Sequence, residues 1–231
     1  MAQKIFAEIK NCQSSSGLFD LTSDYFLGQG FGGICYIAPS GPAGPVTVLD
    51  RGIPADFIAR YREQELYRIS SLPGLAFRLG HPEVLENLVR QIPRLSAAEK
   101  GFVESLRRFD LTDSLIIPSY GPTGRPGILA LARPAHPSLV REMDQPLAAA
   151  VAQQVHSRMA SFQVHDPPGS LSPREREILR WLCQGKSGAD IATILGLALP
   201  TVTTHIQRIY GKLRVHDRVN AVTKAMALHY I

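Results

Sequence analysis

The residue types that are scarce in this chain exclude several classes of protein. The 3 cysteines (Cys12, Cys35 and Cys183) and the 7 histidines show no metal-ligand or redox spacing, so we expect no disulfide framework, metal site or cofactor. No apolar run approaches the roughly 20 residues that span a bilayer. Residues 1–10 are mixed in charge and lack the apolar stretch of a signal peptide. We therefore expect a cytoplasmic protein with no membrane partner.

Sequence signatures of enzymes are also missing. The glycine-rich segment GQGFGG at residues 28–33 has no preceding strand and no phosphate-binding Lys, so we interpret it as a loop that leads into a strand. We find no nucleophile elbow, Walker loop or ligand cluster, and residues 1–160 lack the alternating βα pattern of a phospho-receiver. The sequence therefore favours a binding protein over an enzyme.

The positive charge is concentrated at one end of the chain. Residues 1–168 contain 16 Lys and Arg against 16 Asp and Glu, whereas residues 169–231 contain 9 against 4. A length of 231 residues with 45% hydrophobic residues suits two domains. The second of these has the charge of a module that binds a polyanion.

This basic region has the pattern of three short helices. Ser172, Pro173 and Glu175 form a capping box that begins a helix ending near Gly185. Ser187 caps a second helix over residues 188–195, and Gly196 ends it where a left-handed residue is needed. A third helix over 200–213 has one apolar face, formed by Val202, Ile206, Ile209 and Leu213.

The opposite face of the third helix is polar. It carries Thr203, Thr204, Gln207, Arg208 and Lys212, which are hydroxyl, amide and cationic groups able to contact bases and phosphates in a major groove. The alternative is the ordinary solvated face of a helical bundle, which periodicity alone favours. The excess of positive charge shifts the balance towards DNA binding.

These residues resemble the helix-turn-helix domain of the LuxR family of bacterial transcription regulators. The matching positions are Leu171, Ser172, Arg174, Glu175, Ile178, Leu179, Gly185, Lys186, Ser187, Ile191, Ala192, Leu195, Thr201, Val202, His205, Lys212, Leu213 and Val215. The resemblance implies a homodimer on a pseudo-palindromic site in double-stranded DNA. It implies base contacts from Thr203 and Gln207, and phosphate contacts from Thr201, Thr204, Arg208 and Lys212. Ala198 replaces the usual capping Ser, and Thr203 stands where Lys or Arg is common.

Strand and helix patterns alternate in the first 162 residues. We predict helices over 3–12, 17–27, 54–69, 72–79 and 96–109, and one long helix over 139–162 interrupted only at Pro146. Strands over 33–38 and 46–50 flank a turn at 40–45, and strands over 114–119 and 127–132 flank the sequence GPTGRPG. This pattern predicts an α+β protein. Residues 1–162 form an α/β/α sandwich with an antiparallel sheet, 163–170 form a linker, and 171–231 form an all-α four-helix domain closed by a helix over 217–231.

The long helix carries an apolar stripe with two interpretations. Its residues are Leu139, Met143, Leu147, Val151, Val155 and Met159. The stripe can meet its own copy in a homodimer, or it can pack on the sheet of its own domain. The sequence leaves these two interpretations equal.

Residues 15–160 also resemble the autoinducer-binding domain of LuxR regulators, which bind N-acyl homoserine lactones. The segments FIARY and FDLTDSLIIPSYGPTG carry the resemblance, with matches at Tyr61, Phe109, Leu111 and Pro118. The departures fall at ligand positions. Ser70-Ser71 replaces Asp-Pro, Phe57 replaces a Trp, Ser114 replaces a Gly, and no Trp occurs near Val84 or Leu85.

Three interpretations of this domain follow. It binds a different, mostly apolar small molecule; it binds an acyl homoserine lactone through rearranged anchors such as Ser70 or Tyr67; or it binds no ligand and serves dimerisation or protein contacts. The first is favoured. The candidate ligand-binding residues are Phe57, Tyr61, Tyr67, Ser70, Phe77 and Ile117, although each aromatic or aliphatic one is equally explained as core.

Overall fold

The computed structural model describes residues 2–39, 46–121, 126–162 and 171–227. These residues divide into two compact units, the first ending at Phe162 and the second beginning at Leu171. Four predicted features lie wholly or partly outside the described residues. They are the turn at 40–45, most of the GPTGRPG loop, the linker at 163–170 and the last four residues of the closing helix.

The first unit contains an antiparallel five-stranded sheet. In chain order its strands are β1 (Phe31–Pro39), β2 (Val46–Arg51), β3 (Glu83–Val84), β4 (Leu115–Tyr120) and β5 (Pro126–Pro134). The order across the sheet is β2-β1-β5-β4-β3, and every neighbouring pair is antiparallel. Both predicted hairpins are therefore present, and β1 also pairs with β5 to join them into one sheet.

Helices cover both faces of this sheet. They are α1 (Ala2–Asn11), α2 (Ser15–Leu27), α3 (Ala55–Glu63), α4 (Leu66–Ile69), α5 (Leu72–Leu79), α6 (Leu85–Arg90), α7 (Ala97–Arg108), α8 (Leu139–Glu142) and α9 (Gln145–Phe162). Helices α1, α2 and α9 enclose one apolar core against the sheet, and α3 to α7 enclose another on the opposite face. Two cores separated by a sheet define the predicted α/β/α sandwich, which is confirmed.

The single helix expected over residues 54–69 is wrong. Helix α3 ends at Glu63, Glu65 adopts a left-handed backbone with φ of 47°, and a separate short helix begins at Leu66. The reversal lets Leu66, which is 7% exposed, enter the core beneath α3. Tertiary burial thus ends a helix whose sequence carries no glycine or proline signal.

The single helix over 139–162 is also wrong, and Pro146 is not the interruption. The break lies at Met143 and Asp144, between α8 and α9. The Asp144 side chain accepts a hydrogen bond from the Leu147 backbone N–H at 2.9 Å. Pro146 occupies the first turn of α9, where its missing N–H costs no helical hydrogen bond.

The apolar stripe of α9 packs on the sheet of its own unit. Val151, Val155 and Met159 are at most 2% exposed and belong to the core that α9 shares with β1, β4 and β5. This confirms the intradomain interpretation of the stripe. For these three residues the alternative, a homodimer contact, is wrong because their side chains are not at the surface. Leu139, Met143 and Leu147 are half-buried against the same core.

The second unit is a four-helix domain. Its helices are α10 (Pro173–Cys183), α11 (Gly188–Leu195), α12 (Leu199–Leu213) and α13 (Arg218–Ala227). The predicted capping box at Ser172 is present, the predicted cap at Ser187 forms a second box with Asp190, and Gly196 has φ of 62°. The apolar side chains of α12 meet α10 and α13 in a core that contains Val202, Ile209 and Leu213.

No single helix among the described residues is long and apolar enough to cross a membrane. The consecutive helices α11 and α12 would pass by length and composition together, but their axes are bent by 114°.

Candidate ligand cavity and nucleic-acid interface

An apolar cavity of about 100 Å³ lies between the sheet and helices α3 to α7. Aliphatic side chains from β1, β5, α6 and α7 form most of its wall, including Ile37, Ile128, Leu88 and Leu106. Cavities that bind drug-sized ligands are usually larger, at about 300–1,000 Å³. A ligand that occupies this space without displacing the walls is therefore small.

Three aromatic rings form one side of the cavity. The Phe57 ring lies 5.9 Å from Tyr61 and 6.3 Å from Phe102 between centroids, and Tyr61 lies 6.0 Å from Phe102. Helix α3 places Phe57 and Tyr61 one turn apart on the same face, and α7 supplies Phe102 from the opposite direction. The sequence analysis identified the first two rings and missed Phe102.

The polar side chains that line the cavity are all uncharged. They belong to Cys35, Tyr61, Ser70 and Ser114. Burial raises the pKa of the Cys35 thiol to about 12, with a further upward contribution from Asp50 that Arg62 opposes. Burial likewise raises the pKa of the Tyr61 hydroxyl. Both groups therefore remain neutral at physiological pH.

A carboxylate network fixes the wall beside Ser70. Glu99 accepts hydrogen bonds from the Ser71 hydroxyl at 2.6 Å and the Ser71 N–H at 3.0 Å, and from the Ser96 hydroxyl and N–H at 2.8 and 2.9 Å. These bonds, with the Ser71 hydroxyl contributing most, lower the pKa of Glu99 to about 2. The network holds the start of α5 against the start of α7. Ser71, which replaces the family's Pro, thus has a structural role.

The structure places three of the six predicted ligand-binding residues at the cavity wall and three elsewhere. Phe57, Tyr61 and Ser70 line the cavity. The Tyr67 ring lies 6.0 Å from the Tyr61 ring with the planes tilted by 55°, but Tyr67 is not part of the cavity wall and its hydroxyl donates to Glu65. Phe77 contacts Tyr120 at the far end of α5, outside the lining.

The assignment of Ile117 to the ligand pocket is wrong. Side chains alternate along β4, so Ile116 faces the cavity and Ile117 packs in the other core, against α9. The same alternation brings Ile128, Ala130 and Ala132 of β5 to the cavity. Placing these residues from the sequence required the register of β4, which the pattern alone did not set.

The polar face predicted for the third helix is exposed on α12. Thr201, Thr203, Thr204, Gln207, Arg208 and Lys212 all lie at the surface. The Thr203 hydroxyl donates to the Leu199 carbonyl at 3.0 Å, and the Thr204 hydroxyl to the Pro200 carbonyl at 2.9 Å. Their hydroxyl hydrogens are thereby occupied, while the methyl groups and oxygen lone pairs remain available for contacts.

Lys212 has a partner that the sequence analysis did not anticipate. Its Nζ atom lies 2.7 Å from Oε2 of Glu175, which also accepts from the Ser172 N–H at 2.7 Å. Burial acts to raise the pKa of Glu175, but the hydrogen bonds from Lys212 and Ser172 outweigh it, and the net pKa is lowered. The ion pair links the start of α10 to the end of α12, so Lys212 orients the exposed helix.

Gln207 and Arg208 differ from Lys212 in this respect. Within the part of the chain that the structure describes, neither side chain makes a hydrogen bond or an ion pair. Ala198 occupies the N-cap of α12 and supplies no side-chain cap, as its sequence position predicted. The exposed side chains of α12 that have no hydrogen bond or ion pair among the described residues thus lie on one helical face.

The fold and these two sites define a class of protein. A helix-turn-helix domain presents a basic helix, and a separate α/β/α domain encloses an apolar cavity. Together they form a DNA-binding regulator with a small-molecule-binding domain.

Comparison with known proteins establishes the family. Residues 14–159 match the family described as "Autoinducer binding domain", and residues 169–225 match "Bacterial regulatory proteins, luxR family". The chain therefore belongs to the LuxR family of transcriptional regulators that carry an autoinducer-binding domain.

Relatives align over most of the chain. It is 26% identical to the transcriptional activator protein PhzR of Pseudomonas fluorescens, over 98% of this chain and 93% of that protein. It is 30% identical to the quorum sensing-dependent transcriptional regulator RpaR of Rhodopseudomonas palustris, over 84% and 79%. The crystal structure of Escherichia coli SdiA shares the fold, with a TM-score of 0.72 and 18% identity, over 100% of this chain and 97% of that one.

Proposed function

We propose that this regulator binds double-stranded DNA as a homodimer at a pseudo-palindromic site and that occupation of the cavity by a small, mostly apolar molecule controls this binding. The observation that carries the DNA-binding part is the exposed face of α12, on which Gln207 and Arg208 have no partner among the described residues. These side chains belong to the third helix of a helix-turn-helix domain with 9 Lys and Arg against 4 Asp and Glu, and this excess of positive charge favours DNA as their partner.

The roles of the α12 side chains follow from their chemistry. Gln207 can form a bidentate contact with adenine, and Arg208 can bind a phosphate. Thr203 offers a methyl group and a lone pair, which suit a thymine methyl or a cytosine amino group. Thr201 and Thr204 contact phosphates near the start of the helix. Lys212 remains committed to Glu175 and supplies little direct phosphate contact.

A homodimer fits this helix because two copies of α12, related by a two-fold axis, reach major grooves about one helical turn apart. Helix α13 supports the proposal, since Val219 and Met226 are 74% and 57% exposed and lie seven residues apart on one face.

The ligand part is carried by the uncharged cavity. A domain that served only protein contacts has no need for an apolar space that keeps buried hydroxyls at its surface. An acyl homoserine lactone held through rearranged anchors is the second candidate, and it is supported by the presence of Tyr61 and Ser70 in the same wall.

The DNA-binding part is tested by measuring affinity against salt concentration for the purified protein and two variants. Arg208→Ala is expected to weaken binding to cognate and random DNA alike and to reduce the salt slope by about one for each protomer. Gln207→Ala is expected to weaken cognate binding selectively, by about 1–3 kcal/mol at the bases it contacts.

Lys10→Ala is the control, because Lys10 is an exposed cation on α1 of the first unit, outside the helix-turn-helix domain. It should leave the salt slope unchanged. Equal losses on cognate and random DNA for Gln207→Ala would contradict its assignment to base recognition, and an unchanged slope for Arg208→Ala would contradict the phosphate contact.

A further inference from the structure

Two hydroxyl groups at the cavity wall have no acceptor among the residues that the structure describes. Tyr61 is 7% exposed and lines the cavity, and its hydroxyl has no hydrogen-bond partner among the described residues. The Ser70 oxygen accepts from the Leu72 N–H at 3.2 Å, but within the same described residues its hydrogen has no acceptor. Neither oxygen is among the fully buried unpartnered atoms of the described residues, so both hydroxyls are free to donate to an acceptor on a molecule in the cavity.

The supply of acceptors is much poorer. Ser114 donates its hydroxyl hydrogen to the Leu111 carbonyl at 2.6 Å, so the side-chain oxygens of the wall offer only the lone pairs of neutral hydroxyls, on Ser114, Tyr61 and Ser70. The nearby carboxylates already have hydrogen-bond or ion-pair partners. Glu99 accepts four hydrogen bonds from Ser71 and Ser96, and Asp50 pairs with Arg62 at 2.6 Å.

We infer that the cavity selects an uncharged ligand whose polar group accepts hydrogen bonds without donating them, such as an ester or a ketone on an apolar body. An amide N–H in the same place would meet only neutral hydroxyl oxygens, which are weaker acceptors than a carboxylate. A buried N–H without a good acceptor weakens binding by roughly tenfold to a hundredfold. This inference rests on the proposed ligand-binding function and specifies the chemical class of ligand.

The test compares two ligands that differ in one group. One is N-butanoyl homoserine lactone, and the other is its ester isostere, in which oxygen replaces the amide N–H. The short chain suits a cavity of about 100 Å³. Each is titrated calorimetrically into the purified full-length protein. We expect the ester to bind roughly tenfold to a hundredfold more tightly than the amide, and equal or tighter binding of the amide would overturn the inference.

Two variants examine the donors and the missing acceptor. Tyr61→Phe should weaken both ligands about tenfold, whereas Tyr25→Phe on α2, in the other core, should change neither. Ser70→Asp should reverse the preference in favour of the amide by supplying a charged acceptor, and the neutral Ser70→Asn should shift it in the same direction. Ser16→Asp, an exposed position on α2, is the control for added charge.

A further variant separates failure of this inference from failure of the proposed function. Ala130→Leu places a larger side chain in the cavity wall and should abolish binding of both ligands, whereas Ala150→Leu on the exposed face of α9 should not. If the amide binds more tightly and Ala130→Leu abolishes that binding, only the ligand class is wrong. If neither ligand binds, or if Ala130→Leu leaves binding unchanged, both the inference and the cavity's proposed role are wrong.

Discussion

Replacing Lys212 by Ala is expected to destabilise the helix-turn-helix domain rather than mainly to weaken its contact with DNA. The change removes the cation 2.7 Å from Glu175, a residue that is only 3% exposed. Removing one partner of a fully buried ion pair typically costs about 3–5 kcal/mol. Because the Lys212 side chain is 35% exposed and water screens it, we expect a smaller loss of about 2 kcal/mol.

The assay follows from the composition of the chain. Trp181 is the only tryptophan and lies on α10, partly buried in the core of the second unit, so its fluorescence reports the unfolding of that unit. A loss of about 2 kcal/mol in a domain of this size lowers the melting temperature by roughly 8–16 °C. Arg208→Ala is the control, since it removes an exposed cation from the same helix and should leave the melting temperature nearly unchanged.

The effect of Lys212→Ala should depend on pH in a defined direction. The folded-state pKa of Glu175 is lowered, so its carboxylate contributes stability above the unfolded pKa of about 4.3, and this contribution is lost as the pH falls through the folded value. The difference between wild type and variant is therefore full at pH 7 and shrinks below about pH 4. If Lys212→Ala and Arg208→Ala melt together at pH 7, the ion pair is not a stabilising contact and the reasoning is wrong.

Two predictions concern the first domain, and thermal melting followed by near-ultraviolet circular dichroism tests both. Glu99→Gln should lower the melting temperature at pH 7, and this effect should decrease from about pH 4 towards pH 2. The reason is that the folded pKa of Glu99 is about 2 and its stabilising contribution disappears on protonation. A constant effect over that range would contradict this prediction. Gly127→Ala should destabilise by about 1–3 kcal/mol, because a Cβ atom there would lie 2.3 Å from Nδ1 of His156 and displace the ring from the Tyr36 hydroxyl. Gly101→Ala, on α7 with no atom within 4 Å of the new Cβ, should instead stabilise by roughly 0.5–1 kcal/mol. If Gly127→Ala also stabilised the protein, backbone entropy would outweigh the contact with His156 and the prediction would be wrong.

The accuracy of the sequence predictions depended on the range of the interactions involved. The capping boxes at Ser172 and Ser96 span four residues, and both formed as predicted. The pairing of β1 with β5 joins Phe31 to Pro134, and no local pattern indicated it. The helix break at Glu65 was missed because no glycine or proline marks it and Leu66 is buried in the core there. The break at Met143 was missed although it has a local signal, since Asp144 caps α9 and Pro146 lies in its first turn.

The candidate ligand site shows the same division. Phe57 and Tyr61 were identified because their spacing places them on one helical face, whichever partners they meet. Phe102 was missed because its proximity to Phe57 arises from the packing of α7 on α3.

The sequence by itself determined the family, the two kinds of domain, the start of most helices and the polar face of α12, since each of these depends on residue types at short spacing. Only the tertiary structure decided which face of β4 borders the cavity and which cation of α12 is already paired. Ile116 and Ile117 are equally apolar, and strand register alone separates them. Lys212 meets a carboxylate 37 residues away, and that distance is closed only when α10 and α12 pack together.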